Sequence, residues 1–421
     1  MSSSIHIDDL ARPRLPWWFA AFNAVARAFA ARLVRFDADA LIALACRQTG
    51  LDDFGPDSFQ QPFRVLVRCV NEEVELNAFG RISQRMMLLN LLKQRLRVEA
   101  LIRAVPAILA EEIARPIVIA GLPRTGTTHL FNLVSQHPGL RSLPYWESLE
   151  PIPGEHDDPK PGQPDPRIAR CARALSFMNR VMPLFPAMHE FEPEVPHEEV
   201  QLQMMEFATQ LYEASLGAPA SYSRWYAETD QTPHYAYMKR MLQVCQHLRG
   251  GRRWILKSPQ HLENLKVLFA TFPDAYVVQT HRDPVRIVAS LATMISYGNR
   301  FQQEKASLDP HRIGRHWSQR IERWLHHSID DRTALPADRL LDVHFHEFMK
   351  DDVATATRLL EWAGEPVDAA ARDAIARFAA RNVQGKHGAI DYPLADVGLD
   401  EADLRRRFRF YQDHFGVPDS R

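Results

Sequence analysis

Long apolar runs are missing from this chain, and so is any excess of charge of one sign. The formal net charge is -1 over 421 residues, so nothing in the overall balance marks a protein that coats nucleic acid, and any anion site has to be local. The four cysteines, Cys46, Cys69, Cys171 and Cys245, are widely spaced. They form no C-x-x-C pair and no His/Cys cluster at metal-ligand spacing, which fits a reducing compartment and no structural zinc. The start, MSSSIHIDD, is polar and acidic where a secretory leader is basic and then apolar, so the expected address is cytoplasmic. Internal repeats and low-complexity tracts are also lacking. What is present is a hydrophobic content of 46%, enough for a large buried core.

Leu15 to Phe36, LPWWFAAFNAVARAFAARLVRF, comes nearest to a membrane segment. Asn23, Arg27, Arg32 and Arg35 interrupt it before the ~20 apolar residues a spanning helix needs. An amphipathic helix is expected, with two readings open: it packs on its own domain, or it makes peripheral contact with a membrane surface.

From Phe36 to about Arg115 the periodicity is helical, with a glycine stop after ADALIALACRQT. PIVIAGLPRTGTTHLFNLV, Pro116 to Val134, then reads as buried strand, turn and helix. A loop dense in Pro, Gly and Asp follows at Pro151 to Pro166. Three further strands, at Trp254–Ser258, Ala275–His281 and Arg339–Phe345, are each followed by helix-like sequence. The pattern predicts an α/β fold: a P-loop-like, three-layer α/β/α core on a central parallel sheet, plus an N-terminal helical layer. The expected division is a helical region over 1–115 and an α/β domain over 116–421, with a lid or acceptor-binding insertion at about 149–253.

The turn in GLPRTGTTHL has the G-x-x-x-x-G spacing of a phosphate loop, where backbone N–H groups and a helix N-terminus face an anion. Thr127 stands where a nucleotide triphosphatase carries its lysine, and the cation sits inside the turn as Arg124. A magnesium-binding strand-end aspartate is not evident, Asp342 in RLLDVHF being the one left open. His189, Glu190, His197, Glu198 and Glu199 recur at short spacing, but Pro193 and Pro196 break any helix that would align them, so solvated loop charges are expected rather than a metal site. Phe177, Met178, Met182, Phe185, Met188 and Phe191 either line an apolar pocket or belong to the core.

The run P-R-T-G-T-T-H-L resembles the 5′-phosphosulfate loop of sulfotransferases, P-[KR]-[ST]-G-[ST]-T. A second motif agrees: Arg282-Asp-Pro, with Ser290 eight residues beyond the arginine, resembles the family's 3′-phosphate motif. The resemblance implies a sulfotransferase using 3′-phosphoadenosine 5′-phosphosulfate (PAPS) as co-substrate, with Arg124, Thr125, Gly126, Thr127 and Thr128 on the 5′ side and Arg282 and Ser290 on the 3′-phosphate. It also implies that Lys386, His387 and Gly388 match a basic loop closing over the 3′-phosphate, although a surface loop reads His387 equally well. WILKSPQHLENL places Lys257 at a strand's C-terminal end, the position of the family's K-T-H lysine on the sulfuryl oxygens, but Pro259 replaces the histidine.

Sulfuryl transfer resembles phosphoryl transfer, so fixed cations do most of the work. Arg124 and Lys257 are the expected pair, with no metal required. The acceptor, a hydroxyl or amine of a small molecule, lipid or carbohydrate, must lose a proton to a base. Glu147, in a segment resembling that of family members with a carboxylate base, and His261, near the missing histidine, are the two candidates, Glu147 preferred. A P-loop kinase and a non-catalytic nucleotide-binding protein are the alternatives.

Overall fold

Five parallel strands form the central sheet of the computed structural model, which describes residues 5–154, 157, 162–251, 253–382 and 390–420. Numbered in chain order after a short first strand, β1 (Ile5–His6), these are β2 (Ile117–Gly121), β3 (Leu140–Arg141), β4 (Arg253–Lys257), β5 (Tyr276–His281) and β6 (Leu340–His344). Their order is β3-β4-β2-β5-β6. β2 is buried at every residue, as expected of the β-branched middle strand of a parallel sheet covered on both faces. One face, through Ile117, Ile119, Ile255 and Val278, packs on helices Thr127–Val134, Asp352–Trp362 and Ala369–Arg381. The other face, through Val118, Leu256 and Val277, faces the larger core.

That larger core runs without a break from Phe36 to Val417. The N-terminal helices, Ala38–Thr49, Gln60–Glu72 and Ala78–Ala104 among them, therefore share one core with the α/β part. Local signals start and stop them as the sequence suggests: the Asp37 carboxylate accepts from Ala40 N–H, and Gly50 closes the helix in the left-handed region with φ +67°. Asn77 joins the layers. Its side chain caps Ala78–Ala104 by accepting from Gly80 N–H at 2.8 Å and donates to the carbonyls of Phe301 and Gln303, both at 3.1 Å. β1 pairs in parallel with β7 (Ile390–Asp391), tying the start of the chain to its last hundred residues.

Between β3 and β4 lie the helices Pro166–Val181, Gln210–Ser215, Ala220–Glu228 and Thr232–Arg249. The proline-containing stretch 193–197, between the first two of these helices, does not float. Tyr145 N–H donates to Val195 O, Trp146 N–H to Pro193 O, both at 3.0 Å, and His197 N–H to Leu143 O at 2.7 Å. The backbone of 193–197 is thereby held against 143–146, which carries the following residues over the end of β4.

Candidate active site

Ligands of open α/β sheets gather at the carboxyl ends of the strands, and here three such ends converge. The turn leaving β2 has β4 on one side and β5 on the other, so Lys257 flanks it from one neighbour and Arg282 from the other. The turn itself is built tightly. A Cβ at Gly121 would lie 1.9 Å from Thr280 Oγ1, so only glycine fits between the two strands. Thr125 is buried; its hydroxyl donates to Leu122 O at 2.6 Å and meets Thr280 Oγ1 at 2.6 Å. Gly126, at φ +83°, opens the helix Thr127–Val134.

Arg124 takes φ +69°, a conformation that costs an ordinary residue about 1–3 kcal/mol. Two contacts impose it: Arg282 Nη1 donates to the Arg124 carbonyl at 2.6 Å, and Arg124 Nη1 donates to Met188 O at 2.5 Å. Arg282 also stacks over Phe345, with 4.1 Å from the guanidinium carbon to the ring centre. Burial, then repulsion from Arg124, pushes the Arg282 guanidinium below its usual range. Two cationic side chains that repel one another make a place where an anion is stabilised.

Lys257 is 3% exposed, and a lysine so deeply placed needs a partner. Its Nζ donates to Glu198 Oε1 at 2.6 Å and reaches Thr128 Oγ1 at 3.5 Å. Glu198 Oε2 also accepts from Ser258 Oγ at 3.4 Å. Arg124, Thr127, Thr128, Glu198, Lys257 and Arg282 all border one cavity of about 660 Å³. Away from these groups its wall turns apolar: Phe185 and Leu211 come from the β3–β4 insertion, and Leu291, Met294 and Ile295 from helix Pro284–Asn299. His189 also borders it and stays neutral; burial, then the nearby Lys257 and Arg124 charges, pushes its imidazole down to about 3.

A family model described as the sulfotransferase family matches residues 116–369, more than half of the chain. The chain belongs to the sulfotransferase family. Two solved structures are similar over nearly the whole molecule. Sulfotransferase STF9 from Mycobacterium avium is 29% identical with a TM-score of 0.80, covering 92% of this chain and 98% of its own. Sulfotransferase STF1 from Mycobacterium tuberculosis H37Rv is 28% identical with a TM-score of 0.72, covering 88% and 98%. No curated protein matches the sequence. The expected fold, a P-loop-like α/β core with a central parallel sheet, is that of these sulfotransferase structures.

In this sulfotransferase the structure brings together some of the site residues expected from the sequence and separates others. Arg124, Gly126, Thr127, Thr128, Lys257 and Arg282 border the common cavity. Thr125 turns its hydroxyl into the strand–loop junction. Ser290 is buried on helix Pro284–Asn299, whose first turn Asp283 caps by accepting from Val285 N–H. Lys386, His387 and Gly388 lie outside the described residues.

The two expected bases lie elsewhere. Glu147, 1% exposed, pairs with Arg141 at 2.7 Å and Arg249 at 3.3 Å and does not border the cavity. His261 is fully buried, with Nδ1 on the Tyr235 hydroxyl at 2.8 Å and Nε2 on Glu199 at 2.5 Å. Pro259 opens the short turn Pro259–Glu263 that points this ring inward. Glu199 also accepts from Lys257 N–H at 2.9 Å. Glu198 and Glu199, expected to be solvated, are thus held at the end of β4, because the backbone pairing of 193–197 against 143–146 brings them there. The available signal was the lysine itself: a buried strand-end cation requires a carboxylate from somewhere in the chain. Asp342, left open as a magnesium ligand, is bonded to His281 at 2.8 Å and Arg332 at 2.8 Å.

Of the apolar candidates, Phe185 and Phe191 border the cavity. Met182 and Met188 are core, packed with Phe19 and Tyr297. Phe177 stacks on Phe79 at 5.4 Å.

Proposed function

We propose that the enzyme transfers the sulfuryl group of PAPS to a hydroxyl or amine of an acceptor with an apolar body, and that Glu198, in place of Glu147 or His261, is the general base. The observation that carries this reading is the convergence of Arg124, Lys257, Arg282 and Glu198 on a single cavity. The turn suits a phosphate group: Gly121 and Gly126 let it pack tightly against its neighbours at the start of a helix, and Arg124 and Arg282, which repel one another, favour negative charge beside it.

Each residue has a definite part. Arg282, with Ser290, takes the 3′-phosphate. The turn's N–H groups, Arg124 and the hydroxyls of Thr127 and Thr128 take the 5′-phosphate and stabilise charge on the departing oxygen. Lys257 has three donors, of which Glu198 takes one and Thr128 at most another, so one remains for the sulfuryl oxygens. As the bond from sulfur to the acceptor oxygen or nitrogen forms and the bond to the 5′-phosphate oxygen breaks, the acceptor proton passes to Glu198. The apolar wall beyond the carboxylate holds the acceptor body, and the insertion at about 149–253 supplies part of that wall, consistent with a lid that sets acceptor choice.

Ligand-dependent melting tests the reading. Adenosine 3′,5′-bisphosphate is expected to raise the melting temperature more than ATP with magnesium. The reverse order would favour a P-loop kinase. Transfer of labelled sulfuryl from PAPS to apolar alcohols in a single turnover separates catalysis from binding alone.

A further inference from the structure

The first helix, Trp17–Leu33, uses one face to hold the molecule together and leaves another bare. Phe19 and Ala30 are buried, and the Asn23 carboxamide accepts from Phe79 N–H at 2.9 Å. Trp18, Phe22, Val25, Phe29 and Leu33 follow one another at intervals of three or four residues, so they form a single ridge along the helix. That ridge is open: Val25 is 77%, Phe29 68% and Leu33 74% exposed. A continuous exposed ridge of large apolar side chains on a folded protein marks an interaction surface.

Charge selects its partner. From Leu10 to Phe36 there are five arginines and no acidic residue. Arg14 is held by Asp8 and Asp9, and Arg27 pairs with Glu304 at 3.3 Å. Arg12, Arg32 and Arg35 are exposed and have no ion pair among the described residues. A second copy of the chain is a poor occupant. The ridge has five side chains where a stable interface uses about 20–30 residues a side, and pairing it with itself would crowd the unpaired arginines together. No helix among the described residues is long and apolar enough to cross a membrane. Apolar and aromatic side chains flanked by unpaired arginines are the features of a helix lying in the plane of an anionic bilayer, side chains in the acyl boundary and guanidinium groups on lipid phosphates.

We propose that the ridge Trp18–Phe22–Val25–Phe29–Leu33 docks the protein on anionic lipid bilayers. The ridge adjoins the insertion, since Trp18 meets Phe177 at 6.0 Å and Phe19 shares a core with Phe185, which borders the cavity. Docking there sets the apolar side of the cavity close to the membrane. The proposal stands without the sulfotransferase mechanism, because it needs neither nucleotide nor acceptor.

Co-sedimentation of the full chain with vesicles tests it, using phosphatidylcholine alone and phosphatidylcholine mixed with phosphatidylglycerol. Wild type is expected to sediment with the anionic vesicles and far less with the neutral ones. Arg32→Glu with Arg35→Glu should weaken partitioning to the anionic vesicles by roughly tenfold or more, and Phe22→Ser with Phe29→Ser should abolish it. Unchanged thermal melting in both variants confirms that they fold. Failure of wild type to bind anionic vesicles, or binding unchanged in either folded variant, overturns the proposal. So does a dimer by light scattering that the Phe22→Ser, Phe29→Ser variant converts to monomer.

Discussion

Replacing Glu198 by glutamine isolates proton transfer from everything else the site does. The amide keeps an oxygen for Lys257 Nζ, now 2.6 Å away, and a partner for Ser258, so the lysine stays hydrogen-bonded. What is lost is one negative charge. Two unit charges ~4 Å apart attract by about 4 kcal/mol at an effective dielectric of ~20, and relief of the carboxylate's desolvation returns much of that. A net loss of about 1–2 kcal/mol is expected, small beside the stability of a large domain. Affinity for adenosine 3′,5′-bisphosphate should hold or improve, because a negative group beside a polyanion has been neutralised. Turnover should fall about 10²- to 10⁴-fold, the usual contribution of a positioned base. Glu147→Gln should do the opposite. Its carboxylate is buried between Arg141 and Arg249, and weakening a buried pair costs about 2–4 kcal/mol, while turnover of the folded fraction stays close to wild type. Melting curves, nucleotide titration calorimetry and single-turnover transfer from labelled PAPS to naphthol provide the three readouts. Full turnover in Glu198→Gln, or a catalytic loss confined to Glu147→Gln, would refute the assignment of the base.

Arg282→Ala should weaken adenosine 3′,5′-bisphosphate by roughly ten- to a hundredfold, the worth of a charged hydrogen bond, and 5′-AMP far less; equal losses in calorimetry would mean that the arginine acts only through its 2.6 Å bond to the Arg124 carbonyl. Gly121→Ala forces a methyl to 1.9 Å from Thr280 Oγ1 and 2.9 Å from Thr127 Cγ2. It should cost about 1–3 kcal/mol or more in denaturant unfolding and abolish nucleotide binding; wild-type binding would show that the turn is not the anion cradle. Burial, first of all, holds His189, His197 and His281 below the ordinary imidazole value. The unfolded chain takes up these protons near pH ~6.5 while the folded chain does not, so stability should drop as pH falls below that value, by up to about 1.4 kcal/mol per pH unit for each histidine. His189→Gln should remove one share of that slope between about pH 6.5 and 3, and a slope identical to wild type in denaturation series would contradict its neutrality.

Much of this molecule could be read from its residues because the information is local. Gly121, Gly126 and a β-branched run dictate strand, turn and helix within twenty residues, and the cations at Arg124, Lys257 and Arg282 sit at strand ends that apolar periodicity already marks. Asp37 and Gly50 bound their helix by side-chain and backbone preferences that need no distant partner. The carboxylate proposed as base was not readable in this way. Glu147 and Glu198 are both carboxylates in proline-flanked segments, and sequence offers nothing to tell which one the fold seals between arginines and which it sets against the cavity lysine. That choice was made by backbone hydrogen bonds from 145, 146 and 197 across to the facing segment, which turn a stretch that looks like solvated loop into a strap over the end of β4. The arginine-rich first helix shows the same division: its amphipathic spacing was plain, but only packing against Phe79 and Phe177 decided which apolar face was consumed inside the molecule and which was left outside.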